Sequence, residues 1–182
     1  MERKMLDKVL FEPILDKDEE IVKMYAPDKR RAWFGTIVWV VFAMLCFVPS
    51  AVLAFLAGKD ALASAILLTV FAVFCLVVPI VMIALWCNKT VYAVTNKRIL
   101  IRTGYIGVDY KSLDYNMLGA ITVNVNVWDK ILRRNTGTIS FGGMSSPLTT
   151  QGVAKFVFVF VNKPYETNKE IKAIIDENRT NK

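Results

Sequence analysis

The side chains most able to do chemistry in this chain are cationic, and they fall in three groups. Lys29, Arg30 and Arg31 are consecutive; Lys97, Arg98 and Arg102 follow one another closely; Lys130, Arg133 and Arg134 lie close to Trp128. Near an anionic lipid leaflet each such charge contributes about 1 kcal/mol of attraction. The chemistry on offer is therefore headgroup recognition or docking to a phospholipid surface. The plainer reading of the same residues is solvated charge plus a signal for membrane orientation. Nothing in their spacing shows that they converge on one site, so a pocket for a single phosphoinositide does not follow.

Catalytic chemistry is harder to find. The chain has no His, which removes a His general base, a Ser-His-Asp triad and every His metal site. No Gly-x4-Gly-Lys-Ser/Thr phosphate loop occurs; Gly142-Gly143-Met144-Ser145-Ser146 lacks the Lys and reads as a loop between strands. Asp109 and Asp114 form no recognisable acid/base pair and read as solvating loop residues. Cys46, Cys75 and Cys87 lie in apolar blocks without metal-ligand spacing, and read as small hydrophobes. The chain is expected to be no enzyme and to hold neither cofactor nor metal. It carries no nucleic-acid-binding motif either.

The elements that must position the cations follow from hydropathy. The sequence is 54% hydrophobic with a mean hydropathy of +0.40, and the excess sits in two blocks. No residue from 32 to 57 is charged, and none from 61 to 87. Each block exceeds the roughly 20 apolar residues that cross a ~30 Å hydrocarbon core. The Phe, Ile, Leu and Val residues of the first block alone favour insertion by roughly 4 to 8 kcal/mol. Two membrane spans follow, with residues 58–60 between them. Lys29, Arg30 and Arg31 precede the first span, and Lys89, Lys97 and Arg98 follow the second, so the positive-inside rule puts both termini in the cytoplasm. Ser50, Ala54 and Gly58, with Ala61, Ala65 and Thr69, put small residues on one face of each helix, closest near the outer link. The absence of ionisable groups within the spans argues against a transporter.

Charge then separates the flanks. Residues 1–31 carry eight basic and eight acidic side chains, whereas residues 88–182 carry fourteen and seven. The net +7 belongs to the C-terminal part, and a basic domain tied to a bilayer meets anionic headgroups first. In the N-terminal segment, residues 16–25 read as a helix, with acidic groups crowding its start. After residue 88 the periodicity changes to that of strands. Residues 90–94, 98–103, 120–127, 138–141 and 155–161 read as strands, and 128–134 as a short amphipathic turn. In the strand at 155–161, Phe156, Phe158 and Phe160 alternate with Val157, Val159 and Val161. A strand apolar on both faces must be covered on both. Pro164 opens a final helix with Ile171, Ile174 and Ile175 on its apolar face. The organisation expected is a segment at 1–31, a membrane α hairpin at 32–87 and a β-rich α+β domain at 88–182, with about six or seven strands and a C-terminal helix.

Three stretches carry a family resemblance. Tyr92-Ala93-Val94-Thr95-Asn96-Lys97-Arg98-Ile99-Leu100-Ile101-Arg102-Thr103-Gly104 is a strand, a Thr-Asn-x-Arg turn and a strand ending in Gly. Residues 127–141 hold an apolar-basic turn followed by Gly137-Thr138-Ile139. Asn162-Lys163-Pro164-Tyr165-Glu166 leads into the last helix. In this order, behind two spans, they resemble the bacterial pleckstrin-homology-like (PH-like) membrane proteins, often called YdbS-like. The turn departs from that pattern in having Arg133-Arg134-Asn135 where Gly is frequent. The resemblance implies a PH-like barrel or sandwich of two roughly orthogonal sheets capped by a helix, and little about biochemistry.

The function expected is a membrane-anchored module that recruits a partner protein or assembles with its own copies at the inner face of the membrane. Trp128, Phe156, Phe158 and Phe160 are the candidate partner surface. The alternatives are a reader of anionic lipid headgroups through the nine cations named above, and an accessory subunit of a transport or export complex.

Overall fold

The computed structural model describes residues 10–56, 58, 62–131, 135–143 and 156–180. It divides into two compact units, Lys29–Asn88 on one hand and Met1–Asp28 with Lys89–Lys182 on the other.

The first unit is a helix pair, α1 (Lys29–Leu56) and α2 (Leu62–Lys89). Both are long and apolar enough to cross a membrane, and they extend slightly beyond the uncharged blocks to take in Lys29 and Lys89. The polar groups within them are satisfied locally. Ser50, next to the helix-internal Pro49, donates its hydroxyl to the Cys46 carbonyl at 2.7 Å, and Thr69 donates to Ala65 at 2.8 Å. Lys29 Nζ donates to Asn88 Oδ1 at 2.8 Å, joining the start of α1 to the end of α2. The Phe47 and Phe71 rings meet edge to face at 5.6 Å. Ala43 and Ala65 are buried where the small side chains allow close approach. Of the small residues expected at the contact, Ala65 is covered while Ser50 is exposed. Most apolar side chains point outward, Leu67 with 72% exposure among them.

The second unit holds two antiparallel sheets. The first contains β1 (Ile21–Tyr25), β2 (Val91–Thr95), β3 (Arg98–Thr103) and β4 (Asp109–Asp114) in that order. The second contains β5 (Leu118–Asn124), β6 (Thr136–Gly143) and β7 (Phe156–Asn162). A short helix, α3 (Val127–Ile131), links β5 to β6, and α4 (Pro164–Thr180) closes the fold. Tyr92, Val94, Ile99 and Ile101 of the first sheet share one core with Ile139, Phe141, Phe158 and Val161 of the second, and Ile171 and Ile175 of α4 complete it. The outer face of the first sheet is covered too. Val91, Ala93 and Leu100 pack there against Phe11, with Leu10, Ile14 and Leu15 beside them. Every residue of β2 is therefore buried.

Three expectations change. Residues 16–25 do not form a helix; a turn closed by the Glu19 N–H on the Asp16 carbonyl (3.0 Å) leads into strand β1. The physical reason is the free edge of β2, which pairs Tyr25 with Tyr92 and Met24 with Ala93, bonds that an isolated helix of ten residues cannot match. Asp109 and Asp114 do not solvate a loop but bracket β4, paired with Thr103 and Arg98. Strict alternation also fails in β7. Phe160 has φ +55°, and the register against β6 shifts between Gly137 and Ile139. This bulge brings Phe158 and Val161, three residues apart, into the same core.

The lead-in to α4 has a local logic. Lys163, at φ +49°, turns the chain, and its carbonyl accepts the Thr167 N–H at 3.0 Å. Pro164 packs so closely on Gly137 that a Cβ there would lie 2.8 Å from Pro164 Cγ and 3.0 Å from the Asn124 carbonyl oxygen. Gly137 is thus a point of close approach.

Candidate functional site

The Thr-Asn-Lys-Arg turn between β2 and β3 is a latch for the N-terminal segment. The Thr95 hydroxyl accepts the N–H groups of Lys97 (3.2 Å) and Arg98 (3.0 Å), and donates to Glu19 Oε1 at 2.6 Å. Asn96 exchanges backbone and side-chain hydrogen bonds with Glu20 and Asp18, each at 3.1 Å. Arg98 grips Glu19 with two nitrogens: Nε lies 3.0 Å from Oε1 and Nη2 lies 2.7 Å from Oε2. Nη2 also donates to the Ile14 carbonyl at 2.8 Å. Burial pushes the Glu19 carboxyl up, but the hydrogen bonds from Arg98, Thr95 and the Asp16 N–H outweigh it and hold the group below its ordinary 4.5. The same pairing raises Arg98. Arg98 is consequently spent inside the fold.

A second cluster forms where β2 and β3 begin and end. Arg102 Nη1 donates to the Lys89 carbonyl at 3.1 Å and so caps the C-terminus of α2, where a cation is favoured. Lys89 Nζ donates to the Ile106 carbonyl at 2.5 Å. Ile106 belongs to the β3–β4 loop, where Tyr105, Ile106 and Val108 are all exposed. Gly104, at φ +153°, makes that loop tight: a Cβ on it would lie 2.3 Å from the Gly107 carbonyl oxygen. On the other junction, the Asp28 N–H donates to the Phe160 carbonyl at 2.7 Å, so the bulge of β7 holds the residue that precedes α1.

The described cations expected to face lipid differ in exposure and partners. Arg31 is only 5% exposed, with its guanidinium 6.0 Å from the Phe34 ring centroid. Arg98 and Arg102 serve internal carboxylate and carbonyl groups. Lys29 bonds Asn88. Lys97 is half-buried, and Arg30 and Lys130 are exposed. Arg133 and Arg134 lie outside the described residues. Next to Lys130, Asp129 is buried and accepts the Thr136 hydroxyl at 2.7 Å, which pins α3 to β6.

The candidate partner surface also separates. Phe158 is 0% exposed and offers no surface: it stacks on Tyr92 at 4.4 Å and meets Phe141 edge to face at 4.8 Å. Phe156 and Phe160 are half-buried. Trp128, at 51% exposure with Val127 beside it, remains at the surface. Sequence reasoning missed the Tyr105-Ile106-Val108 loop, although two flanking glycines around bulky apolar residues were a visible signal.

Two hollows carry no chemistry. One, of about 690 Å³, runs along α2 and is lined by Ile66, Leu67, Val70, Phe71, Phe74 and Ala63; it is the apolar flank of that helix. The other, of about 100 Å³, lies among Asn96, Tyr115, Asn116, Asn178 and Arg179, and its Arg already donates to the Tyr115 carbonyl. Among the described residues no group of His, Cys, Asp and Glu could hold a metal ion.

Two antiparallel sheets closed by a C-terminal helix define the class, a PH-like domain. The model of the family described as bacterial PH domain matches residues 33–174, and the chain belongs to that family. A solved structure, a DUF1696 family protein with a pleckstrin-homology domain from Shewanella loihica PV-4, is similar over 95% of each chain, at 9% identity and a TM-score of 0.43. No curated protein matches the chain. PH-like domains generally lack catalysis and often mediate protein or lipid interactions.

Proposed function

We propose that this protein is a membrane-anchored, non-catalytic interaction module. The α1–α2 hairpin inserts in the cell membrane with both termini on the cytoplasmic side and residues 58–60 outside. The PH-like unit, flanking the hairpin on both sides in sequence, recruits a partner protein or a second copy at the inner face. The observation that carries the reading is the exposure of the hairpin: helices uncharged between their basic ends, with apolar residues such as Leu67 turned outward over most of their length, are costly in water and stable in lipid. The exposed Val127 and Trp128 give the β unit an apolar, aromatic patch of the type that anchors protein contacts.

The test is native mass analysis of the full chain in nanodiscs with its copurified proteins and lipids. A stoichiometric partner or defined oligomer, lost in Trp128→Ala, supports the reading. A lone chain retaining anionic lipid overturns recruitment in favour of a headgroup reader. Against that second reading stand Arg98, which grips the Glu19 carboxylate, and Arg31, which is only 5% exposed.

A further inference from the structure

We propose that the β3–β4 loop, Gly104 to Val108, is a third membrane contact, with Ile106 and Tyr105 inserted into the headgroup–acyl boundary of the leaflet from which α2 emerges. The inference rests on the reading that the hairpin spans the membrane.

The loop is held at the end of α2 by bonds within the β unit. Lys89 is both the last residue of α2 and a member of that unit. Its Nζ donates to the Ile106 carbonyl and its carbonyl accepts from Arg102 Nη1. The register agrees: Val91, two residues beyond α2, pairs with Arg102, and the Thr90 and Thr103 hydroxyls lie 3.3 Å apart. Gly104 follows directly. Whatever depth Lys89 occupies, the Ile106 backbone lies within one lysine side chain of it. A lysine at the end of a span sits at headgroup level, so the loop does too.

The composition suits that level. Ile106 is 85% exposed, the most exposed large apolar side chain among the described residues, and Tyr105 and Val108 flank it. In water this arrangement has no benefit. At an interface an aliphatic tip buries while the Tyr ring spans the apolar and wet layers. Lys89 and Arg102 supply positive charge beneath the loop, and Asp109, at the start of β4, is the neighbouring carboxylate. The backbone turns tightly beneath the tip, where a Cβ on Gly104 would lie 2.3 Å from the Gly107 carbonyl oxygen. A second protein could cover the same tip, but the tie to Lys89 favours lipid.

The experiment places a nitroxide label at Ile106→Cys in the full chain, with Cys46, Cys75 and Cys87 replaced by Ala or Ser, in nanodiscs of phosphatidylethanolamine and phosphatidylglycerol. Collision with oxygen, which concentrates in lipid, is compared with collision with a water-soluble nickel chelate. Labels at Leu67→Cys on α2 and at Glu20→Cys, exposed beside Asn96 at the opposite end of the β2–β3 hairpin, are the references. Oxygen should exceed nickel several-fold at 106, as at 67, with the order reversed at 20. A lipid-exposed label at 67 with an aqueous one at 106 overturns the loop contact and leaves the hairpin intact. An aqueous label at 67 overturns both. A label at 106 shielded from both reagents would mean protein covers the loop, and would also overturn the inference.

Discussion

The Arg98 guanidinium closes on the Glu19 carboxylate, Nη2 to Oε2 at 2.7 Å, with the Glu19 side chain fully covered and Arg98 19% exposed. This bond crosses 79 positions of sequence and fastens the segment that covers the outer face of the first sheet. Removing one partner strands the other: Glu19→Ala should cost about 3–5 kcal/mol, read as a lowered denaturation midpoint of the full chain in detergent. Arg98→Lys, which cannot reproduce the two-nitrogen grip, should lose part of the same stability.

The same pair sets an acid dependence. Glu19 titrates below its ordinary 4.5 in the folded chain. Its contribution is thus fully present above that ordinary value and is lost as pH falls through the lower folded value. Stability measured from pH 7 downward should hold until roughly pH 4.5 and then decline. Glu19→Gln, less stable throughout, should show a shallower decline; an unchanged slope would remove Glu19 as its source.

Tyr92 and Val159 tie the two sheets together. The Tyr92 hydroxyl accepts the Val159 N–H at 3.0 Å and lies 3.3 Å from the Val159 carbonyl. Tyr92→Phe keeps the stack on Phe158 but leaves those backbone groups unpaired, so it should cost about 1–2 kcal/mol. Chemical denaturation would measure it, and no loss would mean that water replaces the hydroxyl.

Two glycines three residues apart should respond in opposite ways. Gly107→Ala enters open space and should stay within about 0.5 kcal/mol of the parent. Gly104→Ala meets the Gly107 carbonyl at φ +153° and should cost about 2 kcal/mol or more. Equal effects would contradict the tight loop.

The hairpin is tested by one charge. Phe74 points outward from the middle of α2, and Phe74→Arg should oppose insertion by about 2.5–3.5 kcal/mol. The fraction of the chain resisting alkaline extraction from membranes should fall. Full retention in both parent and variant would count against a lipid-facing position.

Sequence alone was enough for what depends on neighbours along the chain. Uncharged runs longer than twenty residues dictate α1 and α2, because every backbone group of a helix is satisfied within its own segment. Alternation marked β3 residue for residue, and Pro164 with the isoleucine face marked α4. The absence of His excluded whole classes of chemistry. What depends on residues far apart was decided only in three dimensions. The segment at 21–25 became a strand because β2 offered an edge, and its acidic lead-in served Arg98 instead of a helix dipole. Phe158 and Val161 entered one core because a bulge at Phe160 broke a period that sequence shows as unbroken. Two cations that spacing grouped on the surface, Arg98 and Arg102, turned to internal acceptors, since a charge near the interior is stable only beside an acceptor. Periodicity is a local property, whereas edges, bulges and ion-pair partners belong to the assembled chain.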